Sequence, residues 1–452
     1  MATPKKSQIN MTEGKMLPKI LLFAIPLMLS GMLQLFYNAA DIAVVGRFAG
    51  EDPLAAVGST SSLNNLLVCI FLGISVGSNV IAARTYGAKD FDAFSRNLHT
   101  SVVVSIIGGF IAAIFGSVYI YDILKLMETP ADVIDLAAKY MRIIFIGMPA
   151  QMLYNFGAAI LRAIGDTRKP LYILGISGLV NVILNLIFVI YFGMDVDGVA
   201  IATIVSQFLS AIFVVICLRK MQGLPSLSLR KLKIHKYELI QMLKIGIPAG
   251  INSSLFSLSN VIIQSAVNSF NSSIIVAGNS VGSSLEGFVF TAMNSFHHSA
   301  LTFAGQNMGA KKNDRLKKGI LICIGCVTIS GLVTGLGLWL FGEPLSALYN
   351  KNPEVIHYSV FRMSIICPTY FICGIMDVIN GSLRGLGHSM RPMLISIITV
   401  CGLRVFFVLY IFPYFRNLAL LYVSWPVSWT ISIIFQAILL IYFIKKLKKQ
   451  TV

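Results

Sequence analysis

"LPKILLFAIPLMLSGMLQLFYNAADIAVVGRFAG", Leu17 to Gly50, is predominantly apolar from Leu17 to Ala40, with Lys19 near its start, before it meets a carboxylate at Asp41. About 20 consecutive apolar residues are enough to cross a bilayer as a helix. This run is too long for the core of a signal peptide and lacks a small-residue cleavage site, so it is read as a first membrane span. Charge at membrane depth is costly, and acids placed there usually face a bundle interior or a water-filled cavity. Asp41 is therefore the first residue to be explained.

The same pattern recurs outward from this segment. The chain has 452 residues, 56% of them hydrophobic and only 12% charged, which excludes an ordinary soluble domain. Twelve apolar runs fall at about 17–43, 54–84, 97–121, 136–161, 170–192, 197–218, 239–266, 274–306, 319–342, 356–383, 392–414 and 418–444. All are too long for barrel strands, and the reading is an all-α integral membrane protein of twelve transmembrane helices. Basic residues cluster in alternate connections: Lys5, Lys6, Lys15 and Lys19; Arg84, Lys89 and Arg96; Arg162, Arg168 and Lys169; Arg219 to Lys236; Lys311 to Lys318; Arg384 and Arg391; and Lys445 to Lys449. The intervening loops are acidic, with Glu51 and Asp52, Asp122, Glu128, Asp132 and Asp135, Asp195 and Asp197, and Glu343 and Glu354. The positive-inside rule then puts both termini in the cytoplasm. The formal charge of +17 is topology and contact with anionic lipid, with no nucleic-acid partner implied. Met11 is an alternative start. All seven cysteines lie in apolar runs, so the Cys323/Cys326 pair reads as packing on one helix face.

The chain is also a tandem repeat. Pro26 pairs with Pro248, Asn38 with Asn260, Ser61-Ser62-Leu63 with Ser283-Ser284-Leu285, and Gly87-Ala88-Lys89 with Gly309-Ala310-Lys311. Arg162 with Arg384, Gly165 with Gly387, and Pro170 with Pro392 continue the series, and every pair has the same separation in sequence. The segment around Pro149 and Pro368 departs from this register. The halves are expected as a six-helix lobe at 1–218, a cytoplasmic linker at 219–236 and a second lobe at 237–452. They form parallel bundles related by a pseudo-twofold axis along the membrane normal, an architecture suited to alternating access.

Three acids fall inside spans: Asp41, Glu286 and Asp377. Their counterparts in the other half are Ile263, Asn64 and Asn155, so the architecture is duplicated while the acids are not. Gln34, Asn38 and Asp41 share one face of the first span, with Tyr37 at its edge. Asn181 and Asn185 share a face of the fifth, and Thr203 brings a hydroxyl from the sixth. A carboxylate with amide and hydroxyl oxygens suits a small cation or a proton site that changes with conformation. Amides within spans also commonly hold helices together, and that reading of Asn181 and Asn185 stays open. Pro26 is the expected bend of the first span. His297 and His298 are expected in structural hydrogen bonds, and Arg404 is an ion-pair candidate for Asp377. There is no Walker A motif, and no nucleophile–base pair or metal cluster that would indicate an enzyme.

In "IPLMLSGMLQLFYNAADIAVVGRFAG", "LRAIGDTRKP" followed by Asn181 and Asn185, "TFAGQNMGAKKNDRLKKG", and Asp377 through "INGSLRGLGHSMRP", the chain resembles the multidrug and toxic compound extrusion (MATE) family over essentially its whole length. The resemblance implies a cofactor-free secondary transporter of the bacterial cytoplasmic membrane that exports cationic amphipathic compounds in exchange for protons or sodium. Asp41, Asn181, Asn185 and Thr203 match its coupling-cation site, which would be the only metal site, for sodium. Gln34, Tyr37, Asn38, Asn155, Glu286, Asp377 and Arg404 are candidate substrate contacts, and Pro26 is the conformational residue. Two departures favour protons: the position of Asn185 is often aspartate in the family, and Phe256 replaces a glutamate of some sodium-coupled relatives. No obligatory protein partner is expected, and the protein is read as a monomer in the bilayer. Alternatives are a flippase for lipid-linked sugars, which calls for a more cationic cavity, and a passive channel or receptor.

Overall fold

The computed structural model describes residues 8–49, 51–127, 129 and 133–449. Lys5, Lys6, Gly50, Glu128 and Asp132 lie outside the described residues, as do the side chains of Glu51, Asp52, Ser61, Ser62, Leu63 and Asn64. The described chain is all-helical. The first half consists of α1 (Met16–Val44), α2 (Glu51–Ala88), α3 (Phe91–Leu126), α4 (Ile134–Ala163), α5 (Arg168–Leu186) and α6 (Val196–Arg219). The second consists of α7 (Lys236–Asn268), α8 (Ser273–Gly309), α9 (Asn313–Leu340), α10 (Pro353–Gly385), α11 (Met390–Phe415) and α12 (Leu418–Lys449). Among the described residues eleven helices are long and apolar enough to span a membrane. The twelfth, α8, is long enough, but its asparagines, serines, Glu286 and paired histidines make it too polar to be counted by hydropathy. Most helices run beyond their apolar runs, because capped polar turns extend them. Asp90 accepts from the Ala93 amide at 2.9 Å to open α3, and Asn352 accepts from Glu354 at 3.0 Å to open α10. Near Pro368, α10 tightens into a 3₁₀ turn, Cys367–Thr369, where the two halves depart from one register.

The helices pack inside out relative to a soluble bundle. In α3 the apolar residues Ile107, Ile111, Ile114 and Val118 recur with helical period on the exposed face, whereas Ser105, Gly109, Ala112, Gly116 and Ile120 are buried. Lipid is as apolar as leucine, so helices associate through small residues that let backbones approach. A Cβ at Gly109 would lie 2.4 Å from Pro149 Cα of α4, and one at Gly116 would lie 2.4 Å from the Phe145 ring. The second half repeats the device at the position matching Gly109, where a Cβ at Gly331 of α9 would lie 2.8 Å from Phe371 Cα of α10. Cys323 is buried on the same face of α9 as Gly331.

The turns repeat as well. Lys89 and Lys311 end α2 and α8 in left-handed conformations, φ 56° and 55°, and Gly165 and Gly387 follow α4 and α10 at φ 84° and 78°. The Gly165 amide donates to Arg162 O at 2.9 Å and the Gly387 amide to Arg384 O at 2.7 Å.

By internal contacts one compact unit comprises Met1–Ile9 with Leu29–Gly246, and the other Asn10–Met28 with Ile247–Val452. The boundaries fall beside Pro26 in α1 and Pro248 in α7, where a proline removes one rung of the helical ladder. In the first unit the polar stretch after α6 is ordered against α3. Ser228 N donates to His99 Nε2 at 3.1 Å, His235 N to Thr100 Oγ1 at 3.1 Å, and Arg96 Nε to buried Glu238 at 2.5 Å. In the second unit Met11 is fully buried, its amide donating to Gln306 Oε1 at 2.9 Å.

Gly109→Leu and Gly331→Leu should each force their helix pair apart, at a cost of about 1–3 kcal/mol or more, and lower the melting temperature of purified protein by several degrees. Ile111→Leu, on the exposed face of α3, should leave it unchanged.

Candidate functional site

In the first unit the site is built by α1, α5 and α6. A Cβ at Gly178 would lie 1.9 Å from the Tyr37 ring, so only glycine lets that ring lie against α5. The Tyr37 hydroxyl then donates to Gly175 O at 3.1 Å. One turn further along α1, part-buried Asp41 accepts a hydrogen bond at Oδ1 from Asn185 Nδ2. The same amide nitrogen reaches Asn181 Oδ1 at 3.5 Å, Asn181 Nδ2 donates to Thr203 Oγ1 at 3.4 Å, and Thr203 Oγ1 donates to Val199 O at 2.9 Å. Ser177 continues the α5 ladder and accepts from Ser210 Oγ of α6 at 2.6 Å. Asn185 is fully buried and its Oδ1 has no hydrogen-bond partner. Beyond Asp41 and Asn185 the helices widen into π turns, Val45–Ala49 and Ile187–Tyr191, a distortion frequent at functional sites.

Asp41, Asn181, Asn185 and Thr203 are thus brought into one hydrogen-bonded series. Gln34 and Asn38 are exposed on α1, Asn155 is half-buried on α4, and Pro26 is buried inside a continuous α1. Among the described residues no group of three His, Cys, Asp or Glu side chains could hold a metal.

The polar residues of the second unit are arranged differently. Glu286 of α8 is held in a two-pronged ion pair by Arg362 of α10, Nε to Oε1 at 2.9 Å and Nη2 to Oε2 at 2.7 Å, with both side chains 5% exposed. Arg362 Nη1 also donates to Asn279 Oδ1 at 2.7 Å, and that oxygen accepts from the Tyr422 hydroxyl at 3.1 Å. The carboxylate expected at substrate is therefore neutralised within its own bundle. His297 Nδ1 meets the backbone carbonyl of Asp377 at 2.7 Å, a structural bond, and the charge acting on the Asp377 carboxylate is Arg384. Arg404, the expected ion-pair partner of Asp377, instead donates to Ser428 Oγ at 3.1 Å and Asn260 Oδ1 at 3.4 Å and lies over Trp425 and Trp429. Sequence reading did not single out Arg362, Asn279 or the aromatic residues of α12. The available signal was the spacing of Tyr422, Trp425 and Trp429, which puts three large rings on one face.

A family model described as MatE matches the chain twice, over residues 26–187 and 248–410. Each match begins at one of the two repeated prolines. The chain is 31% identical to the probable multidrug resistance protein YoeA of Bacillus subtilis, over 96% of this chain and 94% of that protein. It is 23% identical to an FAD transporter of Shewanella oneidensis, over 85% of each. Its fold is that of a solved outward-facing multidrug resistance MATE family transporter of the MOP superfamily, with a TM-score of 0.91, 20% identity and coverage of 99% of this chain and 100% of that one.

Breaking a buried ion pair by removing one partner costs about 3–5 kcal/mol, whereas replacing both by apolar groups is tolerated. Glu286→Gln and Arg362→Met should each lower the melting temperature substantially, and the Glu286→Met/Arg362→Met double variant should recover most of the loss. Wild-type melting of both single variants would show that the pair is not shielded as described.

Proposed function

This chain belongs to the MatE family, and from that premise we propose that it exports amphipathic organic cations in exchange for an inward-moving proton. It is a multi-pass membrane transporter of the multidrug-resistance kind and not an enzyme. The observation that carries the exchange reading is the series Asp41–Asn185–Asn181–Thr203. Ionised, Asp41 is an acceptor for Asn185 Nδ2 and an attraction for a cation. Protonated, it is neutral and becomes a donor itself. Asn185 can answer either state: rotation of its amide turns the unpartnered Oδ1 toward the acid hydroxyl. A proton arriving from outside would thus release the organic cation and rearrange the contact between α1 and α5, with Pro26 as the bend. A sodium ion would need Asp41 and the amide carbonyls converging on one point, whereas Asn185 turns its nitrogen toward the carboxylate. That orientation supports the proton. Gln34, Tyr37, Asn38, Asn155 and Asp377 are proposed as contacts for the exported compound.

We place the protein in a bacterial cytoplasmic membrane as a cofactor-free monomer with both termini inside. Counted by helices, the proposed lobes are 1–218 and 237–452 joined through 219–236, although by internal contacts Asn10–Met28 groups with the second unit and the chain through Gly246 with the first.

The test is ethidium movement in liposomes holding purified protein, under a pH step or a sodium gradient imposed separately. The pH step should drive transport in the wild type and sodium alone should not. Asp41→Asn should reduce pH-driven transport at least tenfold while eluting as folded protein. Wild-type rates in Asp41→Asn, or equal driving by sodium, would overturn the assignment.

A further inference from the structure

Among the described residues, Arg404 carries an intramembrane charge that cation export does not use. It lies on α11 and is 2% exposed, yet no carboxylate among the described residues hydrogen-bonds to it. The ionisable groups acting on it are Cys373, Cys401, Tyr370 and Arg362, none of them a carboxylate. Its Nε and Nη1 are spent on the neutral oxygens of Ser428 and Asn260, and Nη2 is buried without an acceptor. The guanidinium lies 5.0 Å from the Trp425 ring centre and 5.8 Å from that of Trp429. Arg362 lies 5.2 Å from the same Trp425 ring. Two arginines thus flank one indole, while Glu286, held by Arg362, is the only carboxylate hydrogen-bonded to either among the described residues. A buried, uncompensated guanidinium is costly unless something else satisfies it, and its planar fork is shaped for a carboxylate or phosphate.

The repeat sharpens the contrast. In the register that matches Pro26 to Pro248, Thr203 becomes Trp425, Asp41 becomes Ile263, Asn38 becomes Asn260 and Val182 becomes Arg404. The helices that hold the acid in the first unit have counterparts that hold a base in the second. Asn260, which binds the guanidinium, is itself exposed, and so gives this cluster a polar edge.

We propose that Arg404, seated on Trp425 and Trp429, binds the anionic group of an organic anion or zwitterion, the carboxylate or phosphate accepting from Nη2. This rests on the transporter reading and widens its cargo beyond simple cations.

The test is isothermal titration calorimetry on the full-length protein in phosphatidylcholine nanodiscs, comparing 1-naphthylacetate with uncharged 1-naphthylacetamide. The carboxylate should bind the wild type at least tenfold more tightly than the amide. Arg404→Gln should bring the two to within about twofold of each other, and Arg404→Lys, which keeps the charge but loses the fork, should fall between. The readout is equilibrium binding with no imposed proton or sodium gradient, which separates this site from the coupling claim. Equal affinities in the wild type would overturn the proposal without any variant, leaving Nη2 to a bound water. A preference that survives in folded Arg404→Gln would overturn it too.

Discussion

A polar group in the hydrocarbon of a bilayer has no water to answer it, so it must be answered by another side chain or by something the protein carries. That constraint orders what is seen in each unit. Asp41 is met by Asn185, Glu286 by Arg362, and the Asp377 carbonyl by His297. Asn185 Oδ1 and Arg404 Nη2 are among the buried side-chain atoms for which that answer is incomplete. Packing follows the same logic. With no hydrophobic gain in hiding leucine from lipid, the helices meet through Gly109, Gly116 and Gly331 and turn their large apolar residues outward.

Duplication supplies the frame, and divergence supplies the chemistry. The left-handed residues Lys89 and Lys311, the glycine turns after α4 and α10, and the glycine contacts of α3 and α9 are the same device used twice. Backbone geometry is held in common by both units, while α1 brings an acid, Asp41, into the first and α11 brings a base, Arg404, into the second.

Most of the frame was legible in the sequence because it depends on local patterns. Apolar run length located the helices, and one constant separation between matching residues exposed the repeat. Hydropathy underestimated the helix ends, since capped polar turns such as that at Asp90 carry no apolar signal. Asp41, Asn181 and Asn185 could be read because spacing of three or four residues announces their faces, while Thr203 showed only as a hydroxyl within the sixth span. The pairing of Glu286 with Arg362 could not, because its members are 76 residues apart and no local spacing links them. Arg404 could be noticed as an oddity, but its seat on Trp425 and Trp429 depends on how α11 meets α12, which no local pattern encodes.

The central claim is that an organic cation and a proton compete for the charge of Asp41. The most direct measurement is the proton count released when rhodamine 6G is added to purified protein in weakly buffered detergent near neutral pH. The account predicts release of up to one proton per dye bound, with a pH dependence that disappears in Asp41→Asn. Dye binding without proton release across the neutral range, or equal release from the variant, would contradict it.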